Sequence, residues 1–324
     1  MSVRHASAVL VAAAVASAAG LGIVSIGAPT AVAGASPLCS VQDGHLFVRG
    51  VDTGAVTHTG VEEATGTPGD DRIVMTGELA TVAAGAGDDV VCALSGYARF
   101  DGGEGDDLLV GGDFYDQLVG GRGSDTLLGG LEDDLMVAGT GDADRLDGGA
   151  DGGTVSYADA TVGVVVTLGE PGSSVPGLGA AAGDGPDRAD VLIGIDHVVG
   201  GRGDDVLTGT SGDDHLSGGP GDDVLIGRAG DDRLAGHEGH DRVRGGAGAD
   251  SLGGGRGRDV LRGGAGDDNL HGREGADRLL GGGGRDNIRG SRGRDELDGG
   301  PQRDYCAGGG GRDTARSCET RGKV

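Results

Sequence analysis

Gly218-Gly219-Pro220-Gly221-Asp222-Asp223-Val224-Leu225-Ile226 is one unit of a pattern that returns every nine residues. Stepping by nine from Asp205 gives Asp214, Asp223, Asp232, Asp241, Asp250, Asp259, Asp268, Asp277, Asp286, Asp295, Asp304 and Asp313, without a gap. Two places after each aspartate stands an aliphatic residue, from Leu207 through Leu297; the last two slots hold Cys306 and Ala315. Glycine stands two places before each aspartate, with Gln302 the exception, and five places before each one from Gly200 to Gly308. Upstream, Asp71, Asp89, Asp107, Asp116, Asp125 and Asp134 keep the same phase. Ala80 and Ala98 replace the aspartate there but keep Val82 and Phe100 in the apolar slot. One inserted residue shifts the register to Asp144 and Leu146, and the following unit carries Gly153 and Val155.

Composition narrows what such an array can be. Of 324 residues 75 are glycine, aromatics make up 2%, tryptophan is absent, and 26 Lys+Arg against 52 Asp+Glu leave a net charge of −26. A conventional enzyme core of this length needs more large apolar side chains. Collagen needs glycine at every third position and abundant proline, and there are 8 prolines. A nucleic acid would be repelled by this charge. Something besides a hydrophobic core has to hold the fold together.

Each unit reads as a Gly/Asp turn of six residues followed by a three-residue strand, x-U-x, with U pointing inward and its neighbours outward. Two units close a flattened coil of 18 residues, and coils stack as parallel strands, so aspartates i and i+18 lie one strand spacing apart, about 4.8 Å. Stacked carboxylates repel, and one aliphatic side chain per nine residues buries little. A divalent cation between turns turns the repulsion into ligation. Hard oxygen ligands with no His or Cys in register favour Ca²⁺ over transition metals, and Mg²⁺ demands smaller octahedral sites.

The unit quoted above resembles the nonapeptide G-G-x-G-x-D-x-U-x of the RTX (repeats-in-toxin) family, and outside one interruption the likeness runs from about Gly69 to Asp313. The resemblance implies an all-β parallel β-roll or β-helix solenoid in a hemolysin-like calcium-binding protein. It implies several Ca²⁺ ions, each between turns i and i+18 and held by aspartate carboxylates and main-chain carbonyls. On that rule the candidate ligands are Asp71, Asp89, Asp107, Asp116, Asp125, Asp134, and the run from Asp205 to Asp295. Asp304 and Asp313 follow weaker units and are left out. Asp204, Asp213, Asp222, Asp231 and Asp267, one place earlier, are weaker candidates: that slot elsewhere holds Arg258, Arg285, Arg294, Arg303 and Arg312, so it faces solvent.

The ends of the chain carry other signals. Arg4, the apolar run from Ala8 to Ile26 and the small-residue pattern Ala31-Val32-Ala33 read as a signal peptide cleaved after Ala33, with Ala35 as the alternative. No later stretch is long and apolar enough to span a bilayer. Four cysteines, Cys39, Cys92, Cys306 and Cys318, suit an exported, oxidised chain. Three pairings are open; Cys39–Cys92 and Cys306–Cys318, one near each end, are the expected ones, and a plain buried thiol is the other reading of Cys306. No C-x-x-C spacing supports zinc.

These readings divide the chain into a signal peptide (1–33), an N-terminal capping segment (34–68), a degenerate array (69–153), an insertion (154–199), a regular array (200–315) and a tail (316–324). Within the insertion, 155–157, 162–168 and 191–195 read as short strands, and the Gly/Pro/Ser-rich 169–188 as a long loop. The arrays differ in charge: residues 1–199 hold 7 basic and 29 acidic residues, residues 200–324 hold 19 and 23. The upstream array should therefore depend more steeply on calcium and salt.

Other motifs are absorbed by the repeat. His237-Glu238-Gly239-His240 is one residue short of H-E-x-x-H and lies in a turn. Arg202-Gly203-Asp204 contains a glycine the repeat requires. G-x-G-x-x-G strings precede no helix, and Asp142-x-Asp144 lacks the third ligand of an EF-hand loop. No nucleophile–base pair stands out. The expected protein is a secreted, non-catalytic calcium-binding structural or surface protein. An adhesin or matrix protein with a carbohydrate or protein partner on the cell surface is the alternative, followed by an RTX-type hydrolase.

Overall fold

The computed structural model describes residues 38–60, 62–140, 143–170, 177–181 and 190–321; the signal-peptide reading of 1–33 lies outside them. Among the described residues every regular element is a strand. The strands form a 16-stranded sheet, a 14-stranded sheet and a three-stranded sheet.

The two large sheets are the faces of a parallel β-solenoid, and the apolar slot sets their register. In one, Leu207, Leu225, Val243, Leu261, Leu279, Leu297 and Ala315 are consecutive partners, 18 residues apart. In the other, the series is Val198, Leu216, Leu234, Leu252, Leu270, Ile288 and Cys306. Upstream, Val91, Leu109, Leu127, Leu146 and Leu192 continue the first series. Val82, Phe100, Leu118, Met136, Val155 and Val198 continue the second. Both belong to one continuous core. It is narrow because alternation gives each short strand one inward residue.

The strands are longer than the three residues of x-U-x. Ser251–Gly257 has seven and Val224–Ala229 six, while Val206–Thr208 and Glu296–Asp298 keep three. The ladder runs on into the glycines, pairing Arg228 with Gly246 and Ala229 with Ala247. This continuation needs glycine: Gly246 has φ +140°, and a Cβ there would run into the Arg228 carbonyl of the coil before.

The insertion contributes strands to both sheets, and its central part is woven into one. The strand order of that sheet passes from Val206–Thr208 through Val164–Thr167, Gly177–Ala181 and Asp190–Ile193 to Arg145–Asp147. Gly177–Ala181 is antiparallel to both of its neighbours. It corrects the reading of 169–188 as a loop throughout. A Gly/Ala-rich segment has little strand propensity of its own, and here it is held by a ladder on each side. The opposite sheet steps directly from Gly153–Ser156 to His197–Val199. The extra hairpin thus accounts for 16 strands on one face against 14 on the other.

A second cluster lies outside the solenoid. The antiparallel meander Cys39–Gln42, His45–Val48 and Val51–Ala55 buries Cys39, Leu46 and Val48 together with Val74, Val90, Cys92, Val110 and Leu128. Val74, Cys92, Val110 and Leu128 each follow an inward core residue and so point outward. The meander covers these outward side chains. Cys39–Cys92 ties the meander to this face, and Cys306–Cys318 closes the other end.

Candidate metal centre

The repeat aspartates form buried columns along the stack. The backbone N–H of Asp205 donates to Asp223 Oδ1 (2.8 Å), that of Asp223 to Asp241 (2.9 Å), and the series passes through Asp259, Asp277 and Asp295 to Asp313, each at 3.0 Å. The alternate column runs Asp214, Asp232, Asp250, Asp268, Asp286 and Asp304, and ends where the Asp304 N–H donates to Glu319 Oε2 (2.7 Å). Upstream, one column links Asp71, Asp89, Asp107, Asp125, Asp144 and Asp190; the other starts at the Ala98 N–H and links Asp116 and Asp134. Each carboxylate therefore reaches back to an amide of the preceding coil, a role that a picture of mutually repelling acids does not contain.

The second oxygen decides the chemistry. Oδ2 is buried without a hydrogen-bond partner in Asp89, Asp107, Asp116, Asp125, Asp134 and in every repeat aspartate from Asp223 to Asp313. A buried carboxylate oxygen with nothing to accept from is costly. Burial pushes Asp107, Asp116, Asp223, Asp232, Asp259 and Asp268 up to about 7, and Asp134 to about 8. Asp125, Asp277 and Asp286 rise to about 6 from the same cause. Asp89, Asp241, Asp250 and Asp295 rise as well, again through burial.

Except at Asp89, where Ala84 takes the place of the glycine, each orphaned oxygen faces a glycine, and at several turns the two form a cradle. A Cβ built on Gly263 would lie closer than 3.0 Å both to Asp268 Oδ2 and to the carbonyl of Gly281, one coil on. Gly102, Gly111, Gly120, Gly272 and Gly281 stand in the same relation to their own aspartate and to the following coil's carbonyl. These points are lined by hard oxygens, one charged and one neutral, and no side chain fills them. Among the described residues no three His, Cys, Asp or Glu side chains converge as a metal-binding group. Backbone carbonyls must then complete any coordination sphere, as Ca²⁺ allows. The residues fit a calcium ion, and calcium would supply the positive charge that the orphaned oxygens lack.

Several candidates stand differently. Asp71, Asp205 and Asp214 lie in the columns, but their Oδ2 accepts hydrogen bonds from Thr67, Gly201 and Thr210. In Asp71 burial works upward, yet the Thr67 N–H and hydroxyl, the Thr57 hydroxyl and the charge of His58 together draw the carboxyl below its usual range. Asp304 and Asp313, left out on sequence, take column positions with orphaned Oδ2. Gln302 adopts φ +77° and keeps the turn that glycine makes elsewhere. Asp144, in register on sequence but not among the candidate ligands, is also a column member, and so is Asp190, whose step of 46 residues from Asp144 is hidden by the intervening hairpin. Asp204, Asp213, Asp222, Asp231 and Asp267 are exposed. They form the reverse bond, each accepting the N–H 18 residues on, as Asp222 donates to Asp204 Oδ1 (2.9 Å) and Arg285 to Asp267 Oδ1 (2.7 Å). In the His237–His240 segment, His237 pairs with Ser217 Oγ and His240 Nδ1 accepts the Arg258 N–H.

A stack of parallel coils with a metal-ready oxygen at nearly every turn defines a calcium-binding β-roll. The RTX calcium-binding nonapeptide repeat (4 copies) matches residues 101–136, 182–216, 190–225, 217–252, 244–279, 253–288 and 280–315, together more than half of the chain. The chain belongs to the RTX calcium-binding repeat family. No curated protein matches it.

Proposed function

We propose that the chain is a secreted, non-catalytic structural protein whose folding is driven by Ca²⁺ entering between stacked turns. The orphaned Oδ2 along the aspartate columns is the observation that carries this reading. In the absence of a cation these oxygens oppose the fold; with calcium bound, metal binding and folding become one event. The affinity expected of such extracellular modules is on the order of 10⁻⁴–10⁻³ M, so the chain would stay largely unfolded at cytosolic calcium and fold outside. Two disulfides and the signal-peptide pattern support export through the general route.

Calorimetric calcium titration of the purified chain, with circular dichroism in parallel, tests this. Heat of binding and gain of β-structure should rise together. A chelator-stripped sample with the same melting curve and hydrodynamic radius as the calcium-loaded one would end the proposal. A cell-surface or matrix partner is the further reading, and deletion of 154–199 in a binding assay addresses it.

A further inference from the structure

The turns are of two kinds, and the difference lies four residues before the aspartate. Ahead of Asp223 and every later repeat aspartate, that residue has φ in the left-handed region. Gly219 (+114°), Arg228 (+89°), His237 (+84°), Arg273 (+78°) and Ser291 (+85°) show that side chains are tolerated there. Upstream, Gly85, Gly103, Gly121 and Gly130 do the same ahead of Asp89, Asp107, Asp125 and Asp134. In all these turns Oδ2 has no partner. Gly112, ahead of Asp116, is outside the left-handed region, yet Asp116 Oδ2 is also orphaned.

Thr67, Gly201 and Thr210 occupy the same slot ahead of Asp71, Asp205 and Asp214, and none has positive φ. Threonine is β-branched and strongly disfavours that region. The Thr67 N–H donates to Asp71 Oδ2 (2.6 Å) and its hydroxyl adds a second bond (3.0 Å). The Thr210 N–H donates to Asp214 Oδ2 (2.6 Å), with its hydroxyl at 3.2 Å. The Gly201 N–H donates to Asp205 Oδ2 (2.7 Å). In the insertion, the Tyr157 hydroxyl donates to Asp190 Oδ2 (2.9 Å). These donors point the positive end of an N–H or O–H at the oxygen that elsewhere awaits a cation.

We propose that calcium loads two separate runs of turns, Asp89–Asp134 and Asp223–Asp313, and that Asp71, Asp190, Asp205 and Asp214 are closed to it because the chain itself occupies their second carboxylate oxygen. The inference rests on the calcium reading above and divides the turns within it. The closed turns fall where the regular stack begins and where the hairpin interrupts it. At these points Oδ1 does not receive an amide from 18 residues before it: Asp205 Oδ1 accepts the Val164 N–H, Asp190 Oδ1 the Asp144 N–H, and the Asp196 N–H, 18 residues before Asp214, goes to the Gly153 carbonyl (3.3 Å). Local donors offset burial there without an ion: fully at Asp71, whose carboxyl is drawn below its usual range, and in part at Asp205 and Asp214, which burial still raises.

The test is the number of calcium ions bound per full-length chain at saturation, by equilibrium dialysis with metal analysis, for the parent, Asp214→Asn and Asp250→Asn, with far-UV circular dichroism to establish folding. Asp250→Asn should bind at least one ion fewer; Asp214→Asn should match the parent. Equal losses in the two variants overturn the partition. Should Asp214→Asn fail to fold, Thr210→Gly serves instead: it keeps the carboxylate and frees the turn to take the left-handed geometry. Its ion count should rise above the parent's, and a count at or below the parent's overturns the partition. A parent chain that binds no calcium sinks the underlying reading, whereas a loaded parent with equal losses sinks the partition alone.

Discussion

The backbone N–H of Asp223 donates to Oδ1 of Asp241, 18 residues on, at 2.9 Å, while Oδ2 of each carboxylate is buried without a partner. The same side chain thus stitches two coils together and leaves an unmet charge between them. Protonation and metal binding are two ways to settle that charge, and each has a measurable consequence.

Acid should stabilise the metal-free fold. Burial lifts Asp223, Asp232, Asp259 and Asp268 to about 7 in the folded chain, above the ordinary carboxylate value of about 3.9 in the unfolded one. Their contribution is fully present below about pH 4 and is lost as pH rises through about 7, because the unfolded chain then releases protons more readily than the folded one. In EGTA the melting temperature should be higher at pH 5 than at pH 8. Calcium displaces those protons, so the rise in melting temperature on adding it should be larger at pH 8. The reverse order at either step would contradict the burial of these groups.

Glycines of the stack should differ sharply in tolerance. Gly246 has φ +140° and no room beside the Arg228 carbonyl, whereas nothing lies within 4 Å of a Cβ on Gly283. Gly246→Ala should lower stability by about 1–3 kcal/mol or more, and Gly283→Ala should leave it nearly unchanged. Calcium-saturated urea melts of the two variants provide the comparison.

The core column should fail locally. Leu261 is fully buried between Val243 and Leu279. Leu261→Ala should cost about 2–5 kcal/mol. Because each coil touches mainly its neighbours, hydrogen exchange should accelerate most in Arg242–Ala247 and Arg278–Gly283 and fade with distance along the stack.

Breaking the N-terminal staple should uncover apolar surface. Cys39–Cys92 closes 53 residues of sequence, for which the chain-entropy relation gives about 4 kcal/mol. Cys39→Ser with Cys92→Ser should loosen the meander over Val74, Val90, Val110 and Leu128 and raise the fluorescence of a bound hydrophobic dye. The Cys306–Cys318 pair, 12 residues apart, should contribute about 3 kcal/mol and expose no comparable surface.

The two arrays should part company as calcium is withdrawn. Arg256 pairs with Glu238 (2.6 Å) and Arg292 with Glu274 (2.7 Å), each across one coil step of the regular array. Exposed pairs of this kind contribute little singly, but they lower the local excess of negative charge. Hydrogen exchange on the full chain should show 69–153 losing protection at a higher calcium concentration than 200–315, with added salt narrowing the gap. Simultaneous loss at all salt concentrations would count against the charge argument.

Periodicity alone determined the parallel all-β stack, the 18-residue register, the inward column from Leu207 to Leu297 and the family of the repeat. All of these follow from local geometry repeated in phase: a nine-residue unit with one apolar slot permits few other ways of burying that slot. Only the tertiary structure decided that outward Val110 and Leu128 lie under a meander and that Gly177–Ala181 is a strand. It also decided which aspartates keep an unpartnered oxygen, separating Asp223 from Asp214 although both occupy the same repeat position. Those outcomes depend on what lies one coil away or across a hairpin. In the turns they depend on the direction in which a single peptide amide points, and a period in the letters carries no record of it.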